Sequence, residues 1–263
     1  MALLVDSHCH LERLKLSEDD TLAAALDRAK GRGVDSFLCV CVTLENFPDM
    51  MAAIDGFDNV VVSCGVHPLD QKEAQDLASL HDLSTNPKVV AIGETGLDYF
   101  YAPETAEVQQ SSFRHHIQVA RQRQLPLIIH TRDAKEDTLG ILREEKAAEV
   151  GGVLHCFTED LDMAQQAIEL GFFISISGIV TFRNAEALRE TVKALPLERL
   201  LVETDSPYLA PVPHRGKSNE PQYVRDVAEF VAELKGVSLE ELAQITTDNF
   251  YRCFPKAKPL LAH

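Results

Sequence analysis

The sequence has no long apolar run and no basic, export-type stretch near its first residue. We therefore predict neither a signal peptide nor a membrane span, and expect a soluble cytoplasmic protein that is monomeric by default. No CxxC pair occurs among the six cysteines, most of which lie in or beside apolar, strand-like runs. In a chain without an export signal, we expect such thiols to be reduced and buried rather than metal-binding.

Positive charge is also scarce, since 25 lysines and arginines face 41 aspartates and glutamates, for a formal net charge of -16. Proteins that track along a duplex usually present a basic surface, so extended nonspecific duplex binding is disfavoured. A phosphate ester stays open as a substrate because bound cations would reverse the local field. Attraction for such a substrate must then come from the site itself.

Short apolar, β-branched runs recur along the whole chain and alternate with segments of helical spacing. Strands are predicted at Leu3–Asp6, Ser36–Val42, Val60–Cys64, Val89–Gly93, Leu127–Ile129, Gly152–Leu154, Phe172–Ser175 and Leu200–Val202. Helices are predicted at Asp20–Arg32, Glu107–Arg123, Asp160–Leu170, Glu186–Ala194, Tyr223–Leu234 and Leu239–Phe250, with a less regular link near Glu73–Leu83.

Eight strands separated by helices, in a chain of 263 residues, predict an α/β fold, a single (β/α)8 TIM barrel. No linker or low-complexity tract interrupts the sequence, so we predict one domain over residues 1–263. The rival is a doubly wound open sheet. Such sheets often carry a Gly-rich phosphate loop near the start, and neither a GxGxxG nor a Walker-type sequence is present.

Metal-ligating side chains follow several predicted strands, at the end of a barrel where active sites lie. His8 and His10, two residues apart after the first strand, would project to one face of extended backbone. The fourth, fifth, sixth and eighth strands are each apolar and are then followed by a carboxylate or imidazole. A buried core would not place such groups at the same point on five strands. Six candidate ligands converge, namely His8, His10, Glu94, His130, His155 and Asp205. Two divalent cations that share one carboxylate would use them all.

Other polar residues at the same rim are candidate substrate contacts. His67 follows the third strand, Arg132 lies two residues after His130, and Arg183 follows the seventh strand. His214, Arg215 and Lys217 add positive charge after the eighth strand. This local reversal in an acidic protein suggests an anionic substrate. Glu203, on the strand face of Asp205, is either a carboxylate that fixes a histidine ligand or the partner of a lysine or arginine.

Six short stretches together resemble the TatD family of metal-dependent deoxyribonucleases, and within it the bacterial YcfH-like branch. They are Asp6-Ser7-His8-Cys9-His10, Gly65-Val66-His67-Pro68, Gly93-Glu94-Thr95-Gly96-Leu97-Asp98, His130-Thr131-Arg132-Asp133, Leu154-His155-Cys156-Phe157 and Glu203-Thr204-Asp205-Ser206-Pro207-Tyr208. The resemblance implies a TIM barrel of the metal-dependent hydrolase type. It further implies that His8, His10 and Asp205 hold one ion, that His130 and His155 hold the other, and that Glu94 bridges them.

The predicted activity is phosphodiester hydrolysis at a two-metal site with an activated water, with DNA ends or single strands as the substrate. Asp205 or Glu94 would accept the proton of that water. The ligand set suits zinc, manganese and, less readily, magnesium. Alternatives on the same scaffold are hydrolysis of an amide, a lactone, another phosphoester or an aminoacyl-tRNA ester. A metal-loaded binding protein without turnover is a further alternative.

Overall fold

The computed structural model describes residues 3–71 and 78–261. Within these ranges eight parallel strands form one sheet, in the order in which they occur in the chain. They are β1 (Leu4–Cys9), β2 (Val34–Cys39), β3 (Val60–Cys64), β4 (Val89–Asp98), β5 (Leu127–Arg132), β6 (Gly152–Leu154), β7 (Phe172–Ile176) and β8 (Leu200–Val202). The predicted (β/α)8 barrel is confirmed. That residues 1–263 form a single domain stays a prediction.

Helices connect the strands and surround the sheet. They are α1 (Leu22–Gly31), α2 (Phe47–Ala53), α3 (Ala78–Leu83), α4 (Ala106–Arg123), α5 (Lys135–Glu144), α6 (Leu161–Glu169), α7 (Glu186–Ala194), α8 (Val224–Lys235), α9 (Leu239–Cys253) and α10 (Lys258–Leu261). The six predicted helices are present with small changes at their ends. Of the predicted link near Glu73–Leu83, the part from 78 onward is α3, and residues 73–77 lie outside the described residues. Among the described residues, no helix is both long enough and apolar enough to cross a membrane.

The barrel closes between its first and last strands. The backbone N–H of His10 donates to the carbonyl of Ser206 at 2.8 Å, and the N–H of Asp205 donates to the carbonyl of His8 at 2.9 Å. The hydroxyl of Ser7 also donates to the carbonyl of Val202 at 2.9 Å. Candidate ligands from the two ends of the chain therefore become neighbours.

Alternation along the strands sends side chains to two separate cores. One set packs outward against the helices, and includes Leu127, Leu154 and Leu200. The other set fills the interior near the starts of the strands, where Phe250 and Phe254 close the N-terminal end of the barrel. Interior positions continue along each strand toward its C-terminal end, where the candidate ligands lie.

Candidate metal centre

Strand periodicity explains why the candidate ligands face the barrel interior. Ile128 and Val153 belong to the interior core, and His130 and His155 each follow two residues later in the sequence. Because successive side chains in a strand alternate between faces, these two histidines point to the same interior. Leu201 of the same core precedes Glu203 by two residues in the same way.

Two glycines let β4 run close enough to β5 to bring Glu94 beside His130. Gly93 and Gly96 have φ angles of +147° and +136°, a region in which L side chains are strained. A Cβ atom at Gly96 would also collide with the carbonyl oxygen of His130. β4 continues past the predicted end at Gly93 as far as Asp98.

Glu94 lies at the centre of the cluster, and its two oxygens face different ligands. Oε2 lies 3.3 Å from Nε2 of His8. Oε1 lies 2.7 Å from Nε2 of His155, 3.4 Å from Nδ1 of His130 and 3.3 Å from Nε2 of His67. The carboxylate therefore has one oxygen in each half of the site, which is the arrangement that a bridging ligand requires.

The half of the site on the Oε2 side combines His8, His10 and Asp205. Nε2 of His10 lies 3.3 Å from Nε2 of His8 and 3.3 Å from Oδ1 of Asp205, and Oδ1 of Asp205 lies 3.6 Å from Nε2 of His8. Asp205 adopts a φ of +57°, a region that aspartate tolerates better than most side chains. Nδ1 of His10 contacts the carbonyl of Val40 at 2.9 Å. Since a carbonyl only accepts, Nδ1 of His10 carries the proton and Nε2 turns its lone pair toward the centre.

The half of the site on the Oε1 side contains His130 and His155, each oriented by a further carboxylate. Nε2 of His130 contacts Oδ2 of Asp98 at 2.9 Å. Nδ1 of His155 contacts Oε1 of Glu203 at 3.3 Å. Each carboxylate accepts from the outward ring nitrogen, so in the neutral ring the inward nitrogen has the lone pair that a cation would bind. Burial lowers the pKa of both imidazoles, but Glu94 together with Asp98 or Glu203 raises it overall, which favours a proton between each ring and Glu94 where no cation is bound.

His67 differs from these histidines in its hydrogen bonding. Its Nδ1 accepts from the backbone N–H of Leu69 at 3.1 Å. In the neutral ring Nε2 then carries the proton and donates toward Glu94 rather than offering a lone pair. His67 is therefore suited to hold Glu94 or an anionic group, as its predicted place at the rim suggests, and less suited to bind a cation.

The charges of the site favour a cation at its centre. Burial raises the pKa of Glu94, but the imidazoles of His155, His67 and His130 outweigh burial and hold that pKa well below its ordinary value. Burial also raises the pKa of Asp205, and His10 and His8 lower it overall. Both groups are thus carboxylates at neutral pH.

Unsatisfied atoms indicate that a metal ion fits this ligand set. Nε2 of His155 lies 2.7 Å from Oε1 of Glu94, yet it has no hydrogen-bond partner among the described residues. With Nδ1 donating to Glu203, a neutral His155 would place two acceptor atoms against each other at this distance, and either a proton or a cation bound by both atoms would remove that repulsion. Three groups of residues each bring three candidate ligand atoms within 4.8 Å of one another. They are His8, His155 and Asp205; His8, His10 and Glu94; and His67, Glu94 and His130. Nitrogen and carboxylate ligands are those preferred by zinc and related divalent ions.

A cavity of about 380 Å³ opens above the cluster, in the size range of small-ligand pockets. Arg132 lines it, as predicted, and so does Arg13, which follows β1 and was not expected. Arg183 is exposed and is not among the described residues that line this cavity. The rim cations after β8 have other partners, since His214 contacts Asp226 at 3.5 Å and Arg215 lies over the ring of Phe182.

The structure brings all six predicted ligands together and adds residues that the sequence did not single out. Asp98 was noticed only as the end of a motif, although it orients His130 directly. The signal for it was its spacing, because positions 94 and 98 share a face if β4 is extended. Of the two interpretations of Glu203, contact with a histidine is confirmed.

A family profile and individual relatives both relate this chain to known proteins. The profile of TatD related DNases matches residues 5–255. The chain is 59% identical over 256 residues to the uncharacterized metal-dependent hydrolase YcfH of Escherichia coli (strain K12), covering 95% of each chain. It is 43% identical over 254 residues to the uncharacterized metal-dependent hydrolase YabD of Bacillus subtilis (strain 168), covering 96% of this chain and 99% of that protein.

A solved structure is similar over nearly the same span. The TatD homolog YJJV from Escherichia coli k12 superimposes with a TM-score of 0.88 at 30% identity, covering 96% of this chain and 98% of that one. The chain therefore belongs to the TatD family and is a metal-dependent hydrolase.

Proposed function

We propose that this protein hydrolyses phosphodiester bonds of DNA, at ends or in single strands, with two divalent cations held at the cluster. The observation that carries the proposal is the orientation of Glu94. Oε2 faces Nε2 of His8, and Oε1 faces the ring nitrogens of His130 and His155. The outer nitrogens of His10, His130 and His155 are bound to a carbonyl or a carboxylate. Two-metal sites of this kind are typical of enzymes that displace groups at phosphorus.

In this proposal His8, His10 and Asp205 hold one ion, His130 and His155 hold the other, and Glu94 bridges them. Zinc, manganese and, less readily, magnesium are the candidates, and the four imidazoles among the six ligands favour zinc. When bound, such cations polarise a phosphoryl group and favour ionisation of a water molecule. The chain's own contribution is to fix the ligand atoms before the substrate enters.

Asp205 is the better candidate for the group that accepts the proton from water. Its side chain is 14% exposed, whereas that of Glu94 is 3% exposed and surrounded by histidines. Asp205 also lines the cavity and is ionised at neutral pH because His10 and His8 lower its pKa against the effect of burial. Glu94 would then act as a ligand, and Asp205 would both bind and orient the water.

Three donors around the cavity suit an anionic substrate. Arg132 and Arg13 both line the cavity; Arg132 lies two residues after His130, and Arg13 lies three residues after His10. The Nε2–H group of His67 points toward the centre. Guanidinium groups bind phosphate oxygens in a bidentate manner, and a neutral imidazole N–H adds a third hydrogen bond. The contact predicted for Arg183 stays a prediction.

The decisive experiment couples metal content to substrate class. The protein is stripped with a chelator, reloaded with zinc, manganese or magnesium, and analysed for bound metal per chain. Each form is then incubated with single-stranded DNA, duplex DNA, an amide panel, a lactone and an aminoacyl-tRNA. We expect two ions per chain and metal-dependent cleavage of DNA. If an amide, a lactone or an aminoacyl ester is cleaved while both DNA substrates stay intact, the phosphodiester proposal is overturned.

A further inference from the structure

Large aromatic side chains are exposed at the mouth of the cavity. Phe100 and Tyr101 follow β4 and are 52% and 68% exposed, and Tyr208 follows β8 and is 46% exposed. Tyr101 and Tyr208 both line the cavity. Exposed aromatic rings beside a functional cavity usually mark a binding surface, because they lose favourable burial without an occupant.

The loop that carries Tyr101 is held rigidly to the metal centre. Oδ1 of Asp98 accepts the backbone N–H of Tyr101 at 2.8 Å, while Oδ2 of the same carboxylate binds His130. Gln109 reinforces the loop by donating to the carbonyls of Asp98 and Ala102. The exposed ring is therefore presented at a fixed place rather than on a freely moving segment.

On each side of the mouth, an arginine lies near the exposed aromatic rings. The guanidinium of Arg132 lies 4.9 Å from the ring centroid of Phe100, and Phe100 packs edge-to-face on Tyr101 at 4.7 Å. On the other side, Tyr208 and Arg13 both line the cavity, and the ring centroid of Tyr208 lies 6.1 Å from that of His10. The mouth thus has two stations, one formed by Phe100, Tyr101 and Arg132 and the other by Tyr208 and Arg13. Each station combines an aromatic ring that can stack on an apolar face with a cation that can bind a phosphate.

We propose that Tyr101 and Tyr208 stack against nucleobases on the two sides of the scissile phosphate, so that the site selects unpaired nucleic acid. This inference rests on the proposed phosphodiesterase function. Paired bases in a duplex have no free face for a tyrosine, whereas a single strand offers one at every nucleotide. The cavity of about 380 Å³ also lies in the size range of pockets that bind small ligands such as a single nucleotide.

Stacking also answers the difficulty posed by the net charge of -16. An acidic protein repels a polyanion at long range, so counterion release supplies little binding energy here. Base–aromatic stacking does not depend on charge and is roughly independent of base identity. The two stations therefore give affinity for strands without requiring a basic surface.

The test compares two oligomers of equal length, one of thymidine nucleotides and one made entirely of abasic tetrahydrofuran nucleotides. Both retain the phosphates, and only the first has bases to stack. With manganese-loaded, full-length protein, we expect Tyr101→Ala and Tyr208→Ala each to lower kcat/KM for the thymidine oligomer about tenfold or more. Cleavage of the abasic oligomer should change less than about twofold, because no stacking exists to lose. Tyr101→Phe keeps the ring and should behave as wild type.

Val212→Ala is the matched control, since Val212 is an exposed apolar residue that does not line the cavity among the described residues. If the tyrosine variants lose activity equally on both oligomers, the substitution acts through the structure. If they cleave the thymidine oligomer as wild type does, no stacking occurs. Either result overturns the inference and leaves the proposed function intact. If the wild-type protein cleaves neither oligomer, the proposed function itself fails, and this inference fails with it.

Discussion

The two ends of the barrel interior are built from opposite kinds of residue. At the N-terminal end, Phe250 and Phe254 close the interior over aliphatic side chains. At the C-terminal end, the same strands continue into buried imidazoles and carboxylates, including His8 and Glu94. Burying polar groups costs free energy, whereas burying aliphatic and aromatic groups supplies it. One end therefore stabilises the fold, and the other costs free energy that cations bound at the proposed site would offset.

The largest expected effect comes from removing Glu94, the carboxylate that we propose bridges the two ions. Glu94→Gln keeps the shape of the side chain but loses the charge that both halves of the site share, so metal-dependent hydrolysis should fall below detection. The number of bound ions per chain should also fall, as measured by elemental analysis. Metal ions should no longer raise the melting temperature, because ligand-linked stabilisation requires binding to the native state.

Glu190→Gln serves as the control for this substitution, since Glu190 is an exposed glutamate on α7. It should leave metal content and activity unchanged. Full activity in Glu94→Gln would contradict the two-metal arrangement.

The opposite end should respond in stability alone. Phe254→Ala removes a fully buried ring and should lower the free energy of unfolding by about 3–5 kcal/mol. Activity per folded molecule and metal affinity should stay near the wild-type values, as measured by urea unfolding and metal titration. Leu3→Ala, at an exposed position near the same end, should change the free energy of unfolding by less than about 0.5 kcal/mol. Loss of metal affinity in Phe254→Ala would show that the two ends are coupled.

A buried histidine outside the cavity sharpens the comparison, because polar burial by itself does not make a catalytic group. His116 on α4 accepts the backbone N–H of Val66 at 3.0 Å and donates to the carbonyl of Ser112 at 2.8 Å. Burial lowers its pKa from 6.5 to about 4. Between these values the unfolded chain binds the proton and the folded chain does not, so stability is complete above pH 6.5 and is lost as the pH falls toward 4.

The loss corresponds to about 3 kcal/mol by the linkage relation. His116→Gln keeps an acceptor and a donor without the titration, so its free energy of unfolding should fall less than that of wild type between pH 6.5 and pH 4. His115→Gln, at the neighbouring and less buried position, is the control and should follow the wild-type pH dependence. Parallel curves for wild type and His116→Gln would contradict the prediction.

The smallest expected effect concerns a carboxylate that orients a ligand without belonging to the proposed ligand set. Glu203 accepts from Nδ1 of His155 and from the backbone N–H of Cys156. Glu203→Gln should weaken metal binding roughly 10–100-fold, because such partners fix the ring and raise its basicity. Isothermal titration with zinc measures this effect, and Glu198→Gln, an exposed position before β8, should leave the affinity unchanged. Unaltered zinc affinity in Glu203→Gln would refute the orienting role.

Much of the site was predictable because two simple regularities coincide. First, eight apolar strand-like runs that alternate with helices predict the barrel. Second, a ligand such as His130 or His155 directly follows the apolar part of a strand, which predicts the metal site. The roles of Asp98 and Arg13 were missed for a common reason. Asp98 lies in the extension of β4, and Arg13 lies in a short turn after β1; the path of both segments depends on packing rather than on a local sequence pattern. Helix α5 was missed for a different reason, since Gly140 interrupts its middle and its apolar residues are few. α2 is only seven residues long, too short for a clear period.

The closure of the barrel also decides when the protein can acquire its metal. His8 and His10 are made first during synthesis, and Asp205, whose backbone N–H binds the carbonyl of His8, is made nearly two hundred residues later. The nascent chain consequently holds an incomplete ligand set until β8 has left the ribosome and met β1. Loading of the proposed first ion with its full ligand set is then a late event, and a polypeptide truncated before Asp205 should hold that ion more weakly even if its earlier strands were folded.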